Sequence, residues 1–151
     1  MRYFLDCEFD GFGGPLISLA LVPADGGEEY YAVVEHERPC IDWVERHVIP
    51  YLDTVPQALR AEPQPRASVA RELARWFEAF DDVEILADWP DDIAYFCRLL
   101  MTGPGEMVTV PAMSFRLLNL AGFSTARNSA VPHNALHDAR ALRDHVVHRG
   151  Y

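Results

Sequence analysis

Residues 3–9 read YFLDCEF, an apolar segment with two acids two positions apart, and residues 11–15 read GFGGP. The first segment is typical of a β-strand and the second of a tight turn. Alternate side chains of a strand share one face, which puts Asp6 and Glu8 together and Cys7 on the opposite face. Two adjacent carboxylates repel each other in an apolar setting, so this strand either lies at a solvated edge or holds a compensating cation or arginine.

The size and composition of the chain indicate one domain. It has 151 residues, 50% of them hydrophobic, which suits a single core over residues 1–151. Cys7, Cys40 and Cys97 match neither a disulfide framework nor a CxxC zinc motif, so a reducing compartment is expected. No basic segment followed by an apolar one opens the chain, and no apolar run is long enough to span a membrane. We therefore expect a cytoplasmic protein with no membrane partner.

The net charge of −10 argues at first against a nucleic-acid partner, because affinity for phosphates is built from basic side chains. That objection weakens if some of the carboxylates hold divalent cations, since a bound ion reverses the local charge. All 13 basic residues other than histidine are arginine. A planar guanidinium suits phosphate contacts, although a GC-rich genome explains the same bias.

The hydrophobic periodicity predicts an α/β fold. Two strands at residues 16–22 and 28–34 follow the first after short turns, which indicates an antiparallel meander. Downstream, the pattern predicts helices at residues 41–51, 67–80, 91–100, 114–120 and 134–148, and short strands at residues 83–87 and 107–110. This order predicts a central mixed sheet of five strands, three antiparallel ones first and parallel additions afterwards, flanked by helices.

The last predicted helix carries an acid on its core side. Asp138 lies beside the apolar positions Ala135 and Leu142, where a merely solvated side chain is unexpected. Asn134 is a suitable N-cap, so His133 stands just before the helix and can reach the same region as Asp138. Taken alone, His133 is better explained as a surface or hydrogen-bonded histidine than as a catalyst.

A third group of acids, Asp88, Asp91 and Asp92, lies where the strand at residues 83–87 enters a helix through Trp89 and Pro90. Acids in a first helical turn are favoured by the helix dipole, and this explanation is preferred for Asp91. Asp92 precedes an apolar stretch that turns inward onto the sheet. One of Asp92 and Asp88 is therefore a candidate for the same cluster as Asp6 and Glu8.

These motifs resemble those of the DEDDh branch of the DnaQ-like 3′-to-5′ exonucleases, a superfamily with a ribonuclease H-like fold. FLDCEF at residues 4–9, with Gly11 after it, is similar to the first family motif, and HNALHDA at residues 133–139 matches the four defined positions of the third. In the second motif, Asp88 and Asp91 stand where the family usually has asparagine and an aromatic residue. Asp92 is the preferred counterpart there, and Asp88 is the alternative.

The resemblance implies a metal-dependent hydrolase. Asp6, Glu8, Asp92 and Asp138 would bind two Mg²⁺ or Mn²⁺ ions, and His133 would be the general base for attack of water on the 3′-terminal phosphodiester. Nucleoside 5′-monophosphates would be released from single-stranded nucleic acid, with RNA favoured over DNA because compact exoribonucleases are the most similar members. Members of this family are commonly dimers, so the resemblance allows a homodimer but leaves the oligomeric state open. Phe9 is a candidate for stacking on the terminal base, and equally a candidate for the core.

Other functions fit parts of the pattern. The same motifs allow a 3′-to-5′ exodeoxyribonuclease, or a nucleic-acid-binding module of the same fold without activity, although the full set of acids and His133 disfavours the inactive module. A different metal-dependent hydrolase would need the acids but gives His133 no special place. Cys7 as a thiol nucleophile is disfavoured because it points away from Asp6 and Glu8.

Overall fold

The computed structural model describes residues 1–150 and contains a five-stranded mixed sheet flanked by helices. The strands of the chain are β1 (Arg2–Phe9), β2 (Leu16–Pro23), β3 (Tyr30–Val33), β4 (Asp82–Ala87), β5 (Met101–Gly103), β6 (Glu106–Met107) and β7 (Ala112–Leu117). The order in the sheet is β3-β2-β1-β4-β7, with β1 to β3 antiparallel and β4 and β7 added in parallel. The predicted α/β class and sheet are confirmed, and the arrangement is consistent with a ribonuclease H-like fold.

The helices are α1 (Asp42–His47), α2 (Arg66–Phe77), α3 (Pro90–Leu99), α4 (Thr125–Asn128) and α5 (Ala135–Arg149). The helix predicted at residues 41–51 is shorter than expected, and a 3-10 turn over Ile49–Tyr51 follows it. Pro50 explains the break, because proline has no N–H to continue the helical ladder. Within residues 1–150, no helix has both the length and the apolar composition needed to cross a membrane.

Strand β1 separates the two layers of the core. Leu5 and Cys7 are buried in the cluster that contains Phe77 of α2 and Phe96 of α3. On the other face, Phe4 is buried with residues of α5 such as Leu142. The alternation expected of β1 is therefore confirmed, and Asp6 and Glu8 follow Phe4 towards α5.

Two predicted elements are wrong. Residues 114–120, predicted as a helix, lie largely in β7, which pairs with the whole of β4. The apolar spacing of this short segment fits both a helical and a strand period. It forms a strand because it pairs with the open edge of β4. Residues 107–110, predicted as a strand of the sheet, contribute only Met107 to β6, in a separate hairpin with β5. The fifth strand of the sheet is thus β7.

Candidate metal centre

The end of β1 extends beyond its parallel neighbour. Only Arg2, Tyr3 and Phe4 of β1 are in register with β4, which ends at Ala87. The later residues of β1 therefore leave one strand edge without a β4 partner, and the acids of β1 border the resulting opening. Asp6 is buried and Glu8 is half-buried there. A Cα register shift relative to β2 between Glu8 and Phe9 marks the exit of the strand.

Asp92 occupies part of that open edge. It lies in the first turn of α3, is only 3% exposed, and its Oδ1 accepts a hydrogen bond of 3.2 Å from the backbone N–H of Cys7. A carboxylate thus takes the place of a strand carbonyl, which fixes Asp92 beside the end of β1. Asp88, which follows β4, is half-buried and faces the same opening.

Helix α5 contributes Asp138 from its first turn. The side chain of Asn134 caps the helix by accepting hydrogen bonds from the backbone N–H groups of Leu136 and His137, as predicted. Asp138 is 2% exposed, and its Oδ2 accepts from the backbone N–H of His133 at 3.1 Å. His133 has a φ of 65°, a left-handed backbone conformation that is uncommon outside glycine. In this conformation its backbone N–H reaches Asp138 in the first turn of α5.

The structure brings the predicted site residues to one cavity of about 560 Å³. Its lining includes the five predicted catalytic residues, the alternative acid and the predicted stacking residue: Asp6, Glu8, Asp92, His133, Asp138, Asp88 and Phe9. None of the described residues that line this cavity is an arginine. The compensating charge expected for the acids therefore does not come from a guanidinium in the cavity.

Burial and mutual repulsion perturb the carboxylates. Desolvation raises the pKa of Asp6 well above its ordinary value, and the charges of Asp92 and Glu8 raise it further. The pKa values of Glu8 and Asp92 are also raised, first by desolvation. For Asp138, desolvation raises the pKa from 3.8 to about 6. Four carboxyl groups thus resist joint ionisation unless positive charge is brought to them.

Two oxygens of this cluster are buried without a hydrogen-bond partner among the described residues, Oδ2 of Asp6 and Oδ1 of Asp138. An unpaired buried carboxylate oxygen is costly, and coordination of a cation removes that cost. One ligand atom from each of Glu8, His133 and Asp138 lies within 4.8 Å of the other two. Carboxylate oxygens are the ligands that Mg²⁺ and Mn²⁺ prefer, so the carboxylates present fit a metal centre without the imidazole.

His133 lies between the carboxylates and an aromatic group. Its ring meets the edge of Trp43 with centroids 4.8 Å apart at 78°, and His47 lies 6.5 Å away. Burial lowers the pKa of His133, and the charge of His47 lowers it further, which favours the neutral imidazole that can accept a proton. The same ring is also within reach of a cation held by Glu8 and Asp138, a ligand role that the sequence did not predict.

The sequence did not single out the aromatic rim of the cavity. Phe12 is 99% exposed, and Trp43 and Trp89 are about half exposed, yet all three line the cavity. Phe9 also lines it and stacks on Tyr95 at 4.5 Å, so it is partly a core residue and partly a wall of the site. A phenylalanine between glycines and a tryptophan beside a proline were the available signals for this rim.

Trp43 reaches the cavity through a contact between distant segments. The backbone N–H of Ile41 donates to Oδ1 of Asp10 at 2.8 Å, which ties the start of α1 to the turn after β1.

Comparison with known proteins adds no relative: no family model matches the chain, and no curated protein matches it. The function must therefore be inferred from the geometry around Asp6, Glu8 and Asp138.

Proposed function

We propose that the chain is a metal-dependent 3′-to-5′ exonuclease that releases nucleoside 5′-monophosphates from single-stranded RNA. The observation that carries the proposal is the convergence of six carboxylates, four of them the predicted ligands, and one histidine on a single cavity, with two buried carboxylate oxygens left unpaired. Such a cluster is costly in an apo protein and useful in one that binds divalent cations. The proposed compartment is the cytoplasm.

The residues divide into metal ligands and a base. Asp6, Glu8, Asp92 and Asp138 would hold two Mg²⁺ or Mn²⁺ ions, and Asp88 remains the alternative to Asp92. The chemistry that these ions supply, when bound, is charge stabilisation at the attacking and leaving oxygens. His133 would take the proton of a water as its oxygen bonds to the terminal phosphorus and the bond to the 3′ oxygen breaks. Its lowered pKa supports this role.

The surroundings of the acids favour a single strand as the substrate. Exposed aromatic side chains bind unstacked bases without reading their sequence, and Phe12, Trp43 and Trp89 border the cavity. Phe9 would contact the terminal base with the surface that it leaves free of Tyr95. The preference for RNA rests on the motif resemblance alone, so DNA of the same sequence is the direct comparison.

The experiment uses matched single-stranded RNA and DNA oligomers labelled at the 5′ end, with Mn²⁺ or Mg²⁺ and an EDTA control. We expect a ladder of labelled products that shortens from the 3′ end, faster on RNA, with nucleoside 5′-monophosphate as the released product. Asp6→Asn should slow this reaction by at least about a hundredfold. Asp144→Asn is the matched control, because Asp144 is an exposed acid of α5 outside the cavity.

Each alternative gives a different result. Faster shortening of DNA would replace the exoribonuclease with an exodeoxyribonuclease. Binding of oligomers without any cleavage would favour the inactive nucleic-acid-binding module. Wild-type rates in purified Asp6→Asn would refute the assignment of the metal centre, because a buried acid at the cavity would then have no part in the reaction.

A further inference from the structure

A second cavity, of about 270 Å³, adjoins the acidic one and differs from it in charge. Arg66 at the start of α2 and Arg98 in the last turn of α3 line it, and Glu35 is its one acid among the described residues. Tyr95 forms the boundary between the cavities, because it lines the second cavity while its ring stacks on Phe9 of the first. The stacked rings of Phe9 and Tyr95 therefore separate the acidic cavity from a cavity that contains two arginines.

These two arginines are available to a ligand. Within residues 1–150, ion pairs engage five of the arginines, namely Arg2, Arg38, Arg46, Arg140 and Arg143. Arg66 and Arg98 are two of the eight arginines outside these pairs, both are exposed, and both line the second cavity. The guanidinium of Arg66 donates one hydrogen bond to the backbone carbonyl of Arg98, which keeps the two residues together and leaves further donors free.

The same pair also lines a third cavity, of about 390 Å³, beside Met101 and Thr102. Arg66 and Arg98 therefore lie between the second and third cavities, and we refer to these two residues as the basic ledge. The guanidinium groups of this ledge match the geometry of phosphate oxygens.

We propose that Arg66 and Arg98 form a binding site for phosphates of the substrate strand, upstream of the nucleotide being removed; this inference rests on the proposed exonuclease function. With the 3′ end in the acidic cavity, the strand passes over Phe9 and Tyr95 and brings later phosphates to the two arginines. The hydroxyl of Tyr95 donates to the carbonyl of Gly14 and holds this crossing in place. The site favours long single strands over dinucleotides, because a dinucleotide ends before the ledge.

The test compares a dinucleotide with a single strand of about ten nucleotides, as RNA labelled at the 5′ end. Arg66→Gln and Arg98→Gln are each expected to raise the KM for the longer strand about threefold to tenfold, while kcat and cleavage of the dinucleotide stay unchanged. Binding of the longer strand, measured by fluorescence anisotropy with Ca²⁺ in place of Mn²⁺, should lose about 0.7 in salt slope for each arginine removed. Arg116→Gln, an exposed arginine of β7 outside these ion pairs, is the control.

The outcomes separate the two proposals. Absence of cleavage of both substrates by the wild-type protein would overturn the exonuclease function and this inference with it. Wild-type cleavage together with unchanged KM and unchanged salt slope in Arg66→Gln and Arg98→Gln would overturn the phosphate site alone. Equal losses on the dinucleotide and the longer strand would also overturn it, because they would indicate a general effect on the catalytic centre.

Discussion

Replacement of Asp138 by asparagine should stabilise the metal-free protein at neutral and alkaline pH. The folded chain holds this carboxyl group in a buried site next to other acids, where its pKa is raised from 3.8 to about 6, chiefly by desolvation. Its contribution to stability is therefore complete below pH 3.8 and is lost as the pH rises through about 6. Asparagine avoids this loss and can still accept the hydrogen bond from the His133 N–H.

The size of the effect follows from the pKa. A rise from 3.8 to about 6 corresponds to about 3 kcal/mol of folding free energy at pH 8. Because nearby acids share the repulsion, the measured gain for Asp138→Asn should lie at about 1 to 3 kcal/mol. Near pH 4 the gain should shrink towards zero, because the folded wild-type carboxyl group is then protonated.

Urea unfolding in EDTA, followed by circular dichroism at about pH 4 and about pH 8, measures this difference. Asp144→Asn on the same helix is the control and should change the free energy of unfolding by less than about 0.5 kcal/mol at either pH. Addition of Mn²⁺ at pH 8 should reverse the order and make the wild type the more stable protein. A variant that is no more stable than wild type at pH 8 in EDTA would refute the idea that Asp138 is a costly, uncompensated acid.

Three further substitutions test the roles of individual groups. At a Mn²⁺ concentration about a hundredfold above its Kd, the wild-type protein should gain about 2.7 kcal/mol in unfolding free energy. Glu8→Gln should gain much less at the same concentration. Urea titrations with and without Mn²⁺ measure both gains. His133→Ala should lower kcat about a hundredfold or more while Mn²⁺ affinity measured by calorimetry changes little; a parallel loss of affinity would instead make His133 a ligand. Cys7→Ala should keep its cleavage rate within about twofold, because burial raises the pKa of this thiol and leaves it unreactive. Removal of the buried side chain should cost about 1 kcal/mol of stability. Loss of activity in the folded variant would instead indicate that Cys7 acts as a nucleophile.

The regular elements were predictable where one hydrophobic period dominates. The meander of β1 to β3 and the long helix α5 follow from clear alternation or helical spacing, and the cap at Asn134 follows from its side-chain chemistry. Strand β7 was not predictable in this way, because its six residues are mostly exposed and fit two periods. Its conformation depends on pairing with β4, a contact between residues distant in sequence.

The site divides in a similar manner. Asp6 and Glu8 share a face because of strand geometry, and Asp138 lies on the core side because of helical spacing, so local rules suffice for them. The location of Asp92 depends on where β4 ends and α3 begins, and its bond to the Cys7 N–H is a long-range contact. Trp43 could not be predicted at all, because the tie between Ile41 and Asp10 brings its helix to the cavity.

The most direct test of the metal centre is anomalous diffraction from crystals grown with Mn²⁺. Two Mn²⁺ peaks are expected in the cavity, roughly 3.5 to 4 Å apart, in contact with Asp6, Glu8, Asp92 and Asp138. In crystals of Asp6→Asn grown under the same conditions, at least one peak should be lost while the fold is unchanged. A cavity without any Mn²⁺ at saturating concentration, or Mn²⁺ bound only elsewhere on the protein, would contradict the account.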